Sequence, residues 1–445
     1  MGVPQQVAVI GAGAAGLAAV KALRDADVAT VGFEAAEQVG GLWVYGAPDS
    51  PAYRTLHLNT SRGRTQFADH PMPTDWPDYP DHRRVAGYLA DYATRFGLTD
   101  AIRLRHTVER VTRNPTGTWT VTASGPSGPV EVTVDAVVVA NGHNRVPRLP
   151  DPGYPGATVE QIHSHDYRGP EQLAGRRVLV VGGGNSAMDI AVDASYTASR
   201  TLLSLRRGVW VVPKYLLGRP SDTLNGALAR RLPWRLRQRI SQTMLSTTVG
   251  NPARYGLPAP THGFLQDHPT LSDGLLSRLT HGDVEARPGV AALHGDRVEF
   301  TDGRTDSVDL IIWCTGYRVD VPFLDPALLA GGADTLPLYR HVFHPDAPGL
   351  SFVGLMQSTG SAFPLVEAQA KLIAAHLAGR YALPDPQRQR AVCRAELRAA
   401  TARWGQRRPA MRVDFDVYLA ELARELTAGT RRARSAAASP VGTPQ

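Results

Sequence analysis

The sequence predicts an α/β fold made of two Rossmann-like dinucleotide-binding units, each with a small β-meander, the second inserted into the first. Two glycine fingerprints, "VAVIGAGAAGLAAVKAL" and "RVLVVGGGNSAMDIA", each stand between an apolar strand and a helix. Each unit then continues into a run of alternating β-formers that closes in a buried strand and a glycine, Asp135 to Gly142 in one and Asp309 to Gly316 in the other. After the second of these, "GLSFVGLMQSTGSAFPLVEAQAKLIAAHLAG" still has to be housed, which returns the chain to the first unit.

The elements follow in order. Val7 to Ile10 form the first strand, and Gly11 permits the tight turn after it. Gly13 lets a pyrophosphate approach the backbone, and Gly16 lets the helix opened by Ala14 and Ala15 pack closely on the strand. The helix N-terminus offers amide donors and a favourable dipole to phosphates. The next strand, "TVGFE", ends in Glu34, which accepts from a ribose diol and repels a 2′-phosphate, so this loop suits the adenosine of FAD or NAD. In the second unit Val178 to Val181 lead into Gly182 and Gly184, with Asn185 and Ser186 opening the helix and Ala187 in the third glycine position. The strand "TLLSLRR" ends in Arg206 and Arg207, cationic forks that suit the 2′-phosphate of NADPH. The expected division is a discontinuous FAD unit at 1–168 and 320–430, an NADPH unit at 169–319 and a disordered tail at 431–445.

Composition narrows the function classes. The 445 residues are 43% hydrophobic and 20% charged, as in ordinary globular proteins. No uncharged apolar run is long enough to span a membrane, and no signal-peptide pattern precedes the first fingerprint, so a cytoplasmic location is expected. The cysteines, Cys314 and Cys393, form no CxxC pair, which argues against a dithiol redox centre or a cysteine-rich metal site. Histidine and carboxylate spacing suggests no metal. The net charge is +7 and the basic residues are nearly all arginine, Lys21, Lys214 and Lys371 being the lysines, which reads as compositional bias with no nucleic-acid partner. The basic stretch "ARRLPWRLRQRISQ" reads as a solvated helix face.

Several further motifs resemble the class B flavoprotein monooxygenases, specifically soluble bacterial members of the flavin-containing monooxygenase family. "EAAEQVGGLWVYG" resembles the segment after the first acidic residue, with Gly40, Gly41, Leu42 and Trp43 beside the flavin. "LHLNTSRGRTQFADHPMP" resembles the family's NTS and FxDxPMP segments, "LIIWCTGY" its ATGY-like strand, and "GSAFPLVEAQAKLIAAHLAG" its last flavin-contacting helix. The resemblance implies FAD and NADPH as cofactors and adds Gln38, Asn59, Thr60, Val108, Gly316 and Gln357 to the cofactor-binding residues. It also implies that NADP⁺ remains bound and shelters a flavin peroxide, from which a nitrogen or sulfur of a small substrate takes one oxygen atom of O₂. Asn59 is then the catalytic candidate, since a side-chain amide donates a hydrogen bond without readily releasing a proton.

One signature departs from the family. FxGxxxHxxxF is met by His163 and Tyr167, but Ala157 and Val159 stand where Phe and Gly belong; Tyr154 and Gly156 offer an offset alternative. Two other functions stay open: Baeyer–Villiger oxidation of a ketone, with Arg54, Arg62 or Arg64 as the arginine it needs near the flavin, and an NADPH oxidase or redox-sensing role without organic substrate. A homodimer is left open as well. The substrate wall is expected within residues 208–280.

Overall fold

The computed structural model describes residues 6–438 apart from 152, 225–231, 268, 330 and 406–407. Strand β1 (Val7–Ile10) is buried along its whole length and feeds helix α1 (Ala14–Arg24), which lays Leu17, Val20 and Leu23 on the core. β2 (Thr30–Phe33) follows, then helix α2 (His82–Arg95), whose N-cap Asp81 accepts from the Arg84 N–H at 2.9 Å. β3 (Ile102–Arg103) completes one edge. β4 (Thr107–Arg113), β5 (Trp119–Gly125) and β6 (Gly128–Val134) form the first antiparallel meander, and β7 (Ala136–Val139) returns to the sheet.

The second unit repeats this plan. β8 (Glu160–His163), β9 (Arg177–Val181), helix α3 (Asn185–Thr197) and β10 (Arg200–Ser204) are followed by an insert carrying helix α4 (Trp234–Thr248). β11 (Glu285–Arg287), a meander of β12 (Val290–His294), β13 (Arg297–Phe300) and β14 (Thr305–Ser307), and β15 (Leu310–Trp313) close it. The chain then re-enters the first sheet through β16 (Leu350–Phe352), which pairs in parallel with β7. Helices α5 (Phe363–Leu377), α6 (Pro386–Trp404) and α7 (Phe415–Ala438) follow.

The sheet orders are β16-β7-β1-β2-β3 and β11-β10-β9-β15-β8, all parallel. The apolar runs of β1, β7 and β15 lie in sheet interiors, where both faces are covered and no polar alternation is needed. Both strand-turn-helix crossovers and both meanders stand where the sequence predicts them.

Three expectations are corrected. Residues 160–163, placed by sequence in the first unit, form the edge strand of the second sheet, because Ile162 and His163 register on Ile312 and Trp313. Residues 431–438, expected as disordered tail, continue α7; Arg432 donates to the Ala382 carbonyl at 2.9 Å and pairs with Glu425 at 2.5 Å, and an alanine-rich stretch carries the helix on. Residues 439–445 lie outside the described residues. In the basic stretch Arg235 and Arg239 are exposed as expected, but Arg237 turns inward, buried and paired with Asp414.

Candidate active site

The first glycine loop is closed by contacts that only glycine allows. A Cβ on Gly11, whose φ is +102°, would lie 2.5 Å from the Ala140 carbonyl oxygen, and one on Gly16 would lie 1.8 Å from the Gly11 carbonyl oxygen. Gly13 is the N-cap of α1 and leaves the amides of Ala14, Ala15 and Gly16 without a side-chain cap or an acidic neighbour in the first turn. Those amides fit a phosphate. The Gly41–Trp43 turn lies against this loop: a Cβ on Gly41 would stand 3.0 Å from the Gly13 Cα, and the Gly40 N–H donates to the Ala12 carbonyl at 3.0 Å. Leu42 is exposed and Trp43 half-buried.

Glu34 stands at the end of β2 and accepts from the Ala12 N–H at 2.6 Å and the Ala36 N–H at 2.8 Å. Its carboxylate therefore fixes the glycine loop, while each oxygen keeps a lone pair for a ribose hydroxyl. The His106 N–H donates to the Glu34 carbonyl at 2.8 Å, and Val108, on the strand that follows, packs against the core that holds Ile10 and Phe33. Gln38 is exposed a turn away.

The second loop is built likewise and differs in detail. Gly182, with φ +143°, would bring a Cβ to 2.4 Å from the Cys314 carbonyl oxygen. Gly184 faces open space and is the uncapped N-terminus of α3, with no acidic residue in its first turn, so an anion can approach. Asn185 accepts from the Leu271 N–H at 2.9 Å, Ser186 is half-buried, and Ala187 is fully buried in the third glycine position. Beyond β10, Arg206 is exposed and makes no ion pair among the described residues. Arg207 is held by Asp267 at 3.2 Å, and Asp267 is shared with Arg412 at 2.6 Å. Gly316, with φ +82°, accepts from the Arg148 N–H at 2.9 Å. Gln357 sits in a short strand paired with Arg412 and so reaches the same neighbourhood.

Asn59 lies half-buried in the segment between Tyr53 and Thr65, and its side-chain amide makes no hydrogen bond among the described residues. Thr60 Oγ1 meets Thr65 Oγ1 at 2.9 Å. The residues around Asn59 are fastened by carboxylates that sequence reasoning missed. Tyr53 Oη donates to Asp189 at 2.6 Å, Thr55 Oγ1 to Asp193 at 2.5 Å, and Ser61 donates to Asp222 from N at 2.6 Å and from Oγ at 3.0 Å. Tyr167, from the altered signature, is fully buried and donates to Asp193 at 2.8 Å. His163 is also buried; its Nδ1 accepts from the His165 N–H at 3.0 Å, and burial holds its ring below the ordinary histidine pKa.

Burial likewise pushes Asp189 up to about 6, against the opposing pull of the Tyr53 hydroxyl, and raises the Tyr53 phenol well above its usual value. Burial raises the Cys314 thiol to about 12, which removes it as a thiolate. The available signal for the carboxylates was the spacing of Asp189 and Asp193, one turn apart on a helix whose intervening residues Ile190, Ala191 and Val192 are apolar. Among the described residues no group of histidines, cysteines and carboxylates could hold a metal, and no helix is long and apolar enough to cross a membrane.

The glycine loops, the uncapped helix ends and the acidic and basic strand termini together fit two dinucleotides. The comparisons with known proteins agree. The chain is 33% identical over 403 residues to flavin-containing monooxygenase 5 of Oryctolagus cuniculus, covering 86% of this chain and 75% of that protein. It is 33% identical over 408 residues to dimethylaniline monooxygenase [N-oxide-forming] 2 of the same animal, with the same coverage of each chain. Among solved structures, S-allyl-L-cysteine S-oxygenase from Allium sativum superposes with a TM-score of 0.73 at 28% identity, over 95% of this chain and 88% of that one. A family model described as FMO-like, flavin-binding monooxygenase-like, matches residues 4–432, and the chain belongs to that family as a flavin-dependent monooxygenase.

Proposed function

We propose that this enzyme uses NADPH and O₂ to place one oxygen atom on a nucleophilic nitrogen or sulfur of a small organic substrate. FAD occupies the loop from Gly11 to Gly16, and NADPH the loop from Gly182 to Ala187. When bound and reduced, the flavin supplies the reaction with O₂; the chain's residues bind, orient and keep water out. Glu34 orients the adenosine ribose of one cofactor and Arg206 the 2′-phosphate of the other. The unengaged amide of Asn59 donates a hydrogen bond at the flavin without offering an acidic proton.

The single observation that favours heteroatom oxygenation over ketone oxidation is the state of the three arginines near Asn59. Arg54 pairs with Glu171 at 2.6 Å, Arg62 with Asp78 at 3.7 Å, and Arg64 with Asp416 at 3.1 Å while lying over the Phe415 ring. Each already faces a carboxylate, so none stands free of an ion pair as the Baeyer–Villiger reading asks of its cation. The S-oxygenase and the N-oxide-forming relative support the same choice.

The test is NADPH consumption by the FAD-loaded enzyme against a panel of amines, thioethers and ketones, with products weighed by mass spectrometry. N-oxides or sulfoxides are expected. Esters or lactones from the ketones alone would replace this reading with the Baeyer–Villiger one, and hydrogen peroxide as the product with every compound would replace it with an NADPH oxidase.

A further inference from the structure

The segment carrying Asn59 belongs by sequence to the first unit, yet much of its side-chain anchoring comes from the second. Tyr53 and Thr55 precede Asn59 and donate to Asp189 and Asp193, one turn apart on α3. Ser61 follows it and donates twice to Asp222, in the turn Ser221–Thr223 of the insert. The Arg54 N–H adds a bond to the Arg168 carbonyl at 2.8 Å, and Tyr215 of the insert donates to Asp78, whose carbonyl in turn accepts from the Arg62 N–H. Asn59 is thus bracketed on both sides by carboxylates of the other unit.

The helix that supplies two of these carboxylates is the one whose N-terminus forms the second glycine loop. Asp189 lies one turn beyond Asn185, the first residue of α3. A hydrogen bond to a carboxylate is among the stronger and more directional contacts a hydroxyl can make, and in a buried setting it cannot be exchanged for water at no cost. Any displacement of α3 on binding a dinucleotide is therefore passed to Tyr53 and Thr55 through short charge-assisted bonds.

We propose that Asp189, Asp193 and Asp222 are positioning residues that couple occupancy of the second glycine loop to the placement of Asn59. They touch neither cofactor nor substrate; they act through Tyr53, Thr55 and Ser61. The proposal rests on the assignment of NADPH to the second loop. Its consequence is that the Asn59 amide is held in its working position only while a nicotinamide dinucleotide holds α3, so that an enzyme that has lost NADP⁺ also loses the ordered amide.

Hydrogen–deuterium exchange of the FAD-loaded enzyme, with and without NADP⁺, tests this. NADP⁺ is expected to protect residues 182–190 and, with them, 53–61. Tyr53→Phe and Asp189→Ala should lower the NADP⁺-induced protection of 53–61 about fivefold or more, while protection at 182–187 and the FAD content are retained. Asp189→Asn, which keeps an acceptor for the Tyr53 hydroxyl, should restore it. The same two disrupting variants should release more hydrogen peroxide per NADPH oxidised than Asp189→Asn does. Tyr53→Phe removes a single oxygen atom and provides the reading if Asp189→Ala does not fold. Protection of 182–187 with wild-type protection of 53–61 in Tyr53→Phe and Asp189→Ala would overturn the coupling and leave the cofactor assignment standing. NADP⁺ that protects neither segment in the wild-type protein would overturn the cofactor assignment and the coupling with it.

Discussion

Arg206 and Arg207 are neighbours with different availability. Arg207 is engaged by Asp267, which Arg412 shares, whereas Arg206 is exposed and makes no ion pair among the described residues. Arg206→Ala should raise the KM for NADPH by roughly 10- to 100-fold, as expected for loss of a charge-assisted contact, and leave the KM for NADH and the yellow colour little changed. Arg207→Ala should have the smaller effect, which steady-state kinetics with both nucleotides will show. Asp189 is a second residue whose environment has a measurable signature. It faces Tyr53, Asp193, Lys214, His57 and Cys314, and burial holds its pKa at about 6, above the unfolded value. A carboxyl raised in this way stabilises the fold fully below its unfolded pKa, and the contribution is lost as pH rises through about 6. Asp189→Asn cannot ionise, so its melting temperature should gain on the wild type as pH is raised from 4 to 7. A difference that stays flat across that range would mean that Asp189 ionises freely.

The two βαβ elements share a pattern and differ in tolerance. α1 touches its loop so closely that a Cβ at Gly16 would overlap the Gly11 carbonyl, whereas α3 accommodates the methyl of Ala187 in a fully buried position. Gly16→Ala should cost about 1–3 kcal/mol or more and release FAD, seen as lost absorbance of the purified protein. Ala187→Gly should cost about 1–2 kcal/mol, the helix-propensity difference together with one buried methyl, by thermal denaturation, and leave FAD bound. This contrast also shows what was legible in the sequence. Strand, glycine turn and helix are local, so the fingerprints, the Glu34 and Arg206 strand ends and both meanders were readable from spacing alone. The edge strand 160–163 and the helical residues 431–438 were misread because each is fixed by a distant partner, β15 for one and the Ala382 carbonyl for the other. Asp189 and Asp193 escaped notice for the same reason: their partners Tyr53 and Thr55 lie far back in the chain, and no periodicity records such a pairing.

Across the whole molecule, the C-terminal segment binds the two units together. Arg412 pairs with Asp267 and the buried Asp414 with Arg237 of α4, both in the second unit, while Asp416 pairs with Arg64 and Asp414 also with Arg403 of α6, both in the first. Burial alone would raise the Asp414 pKa, but the two guanidiniums hold it below the usual aspartate value. Asp414→Ala would remove the buried carboxylate that both guanidiniums share and should destabilise the protein by about 3–5 kcal/mol, measurable by denaturant unfolding. Unchanged stability would mean that water reaches both arginines. The return of the chain through β16 bears on biogenesis. Val137 has no neighbour on that side until Leu350 has been made, whereas β8 to β15 form a continuous stretch of chain with its own sheet. On the ribosome the second unit is therefore the first that can close its sheet, and the first unit, although its synthesis begins earlier, must wait open-edged for its last strand.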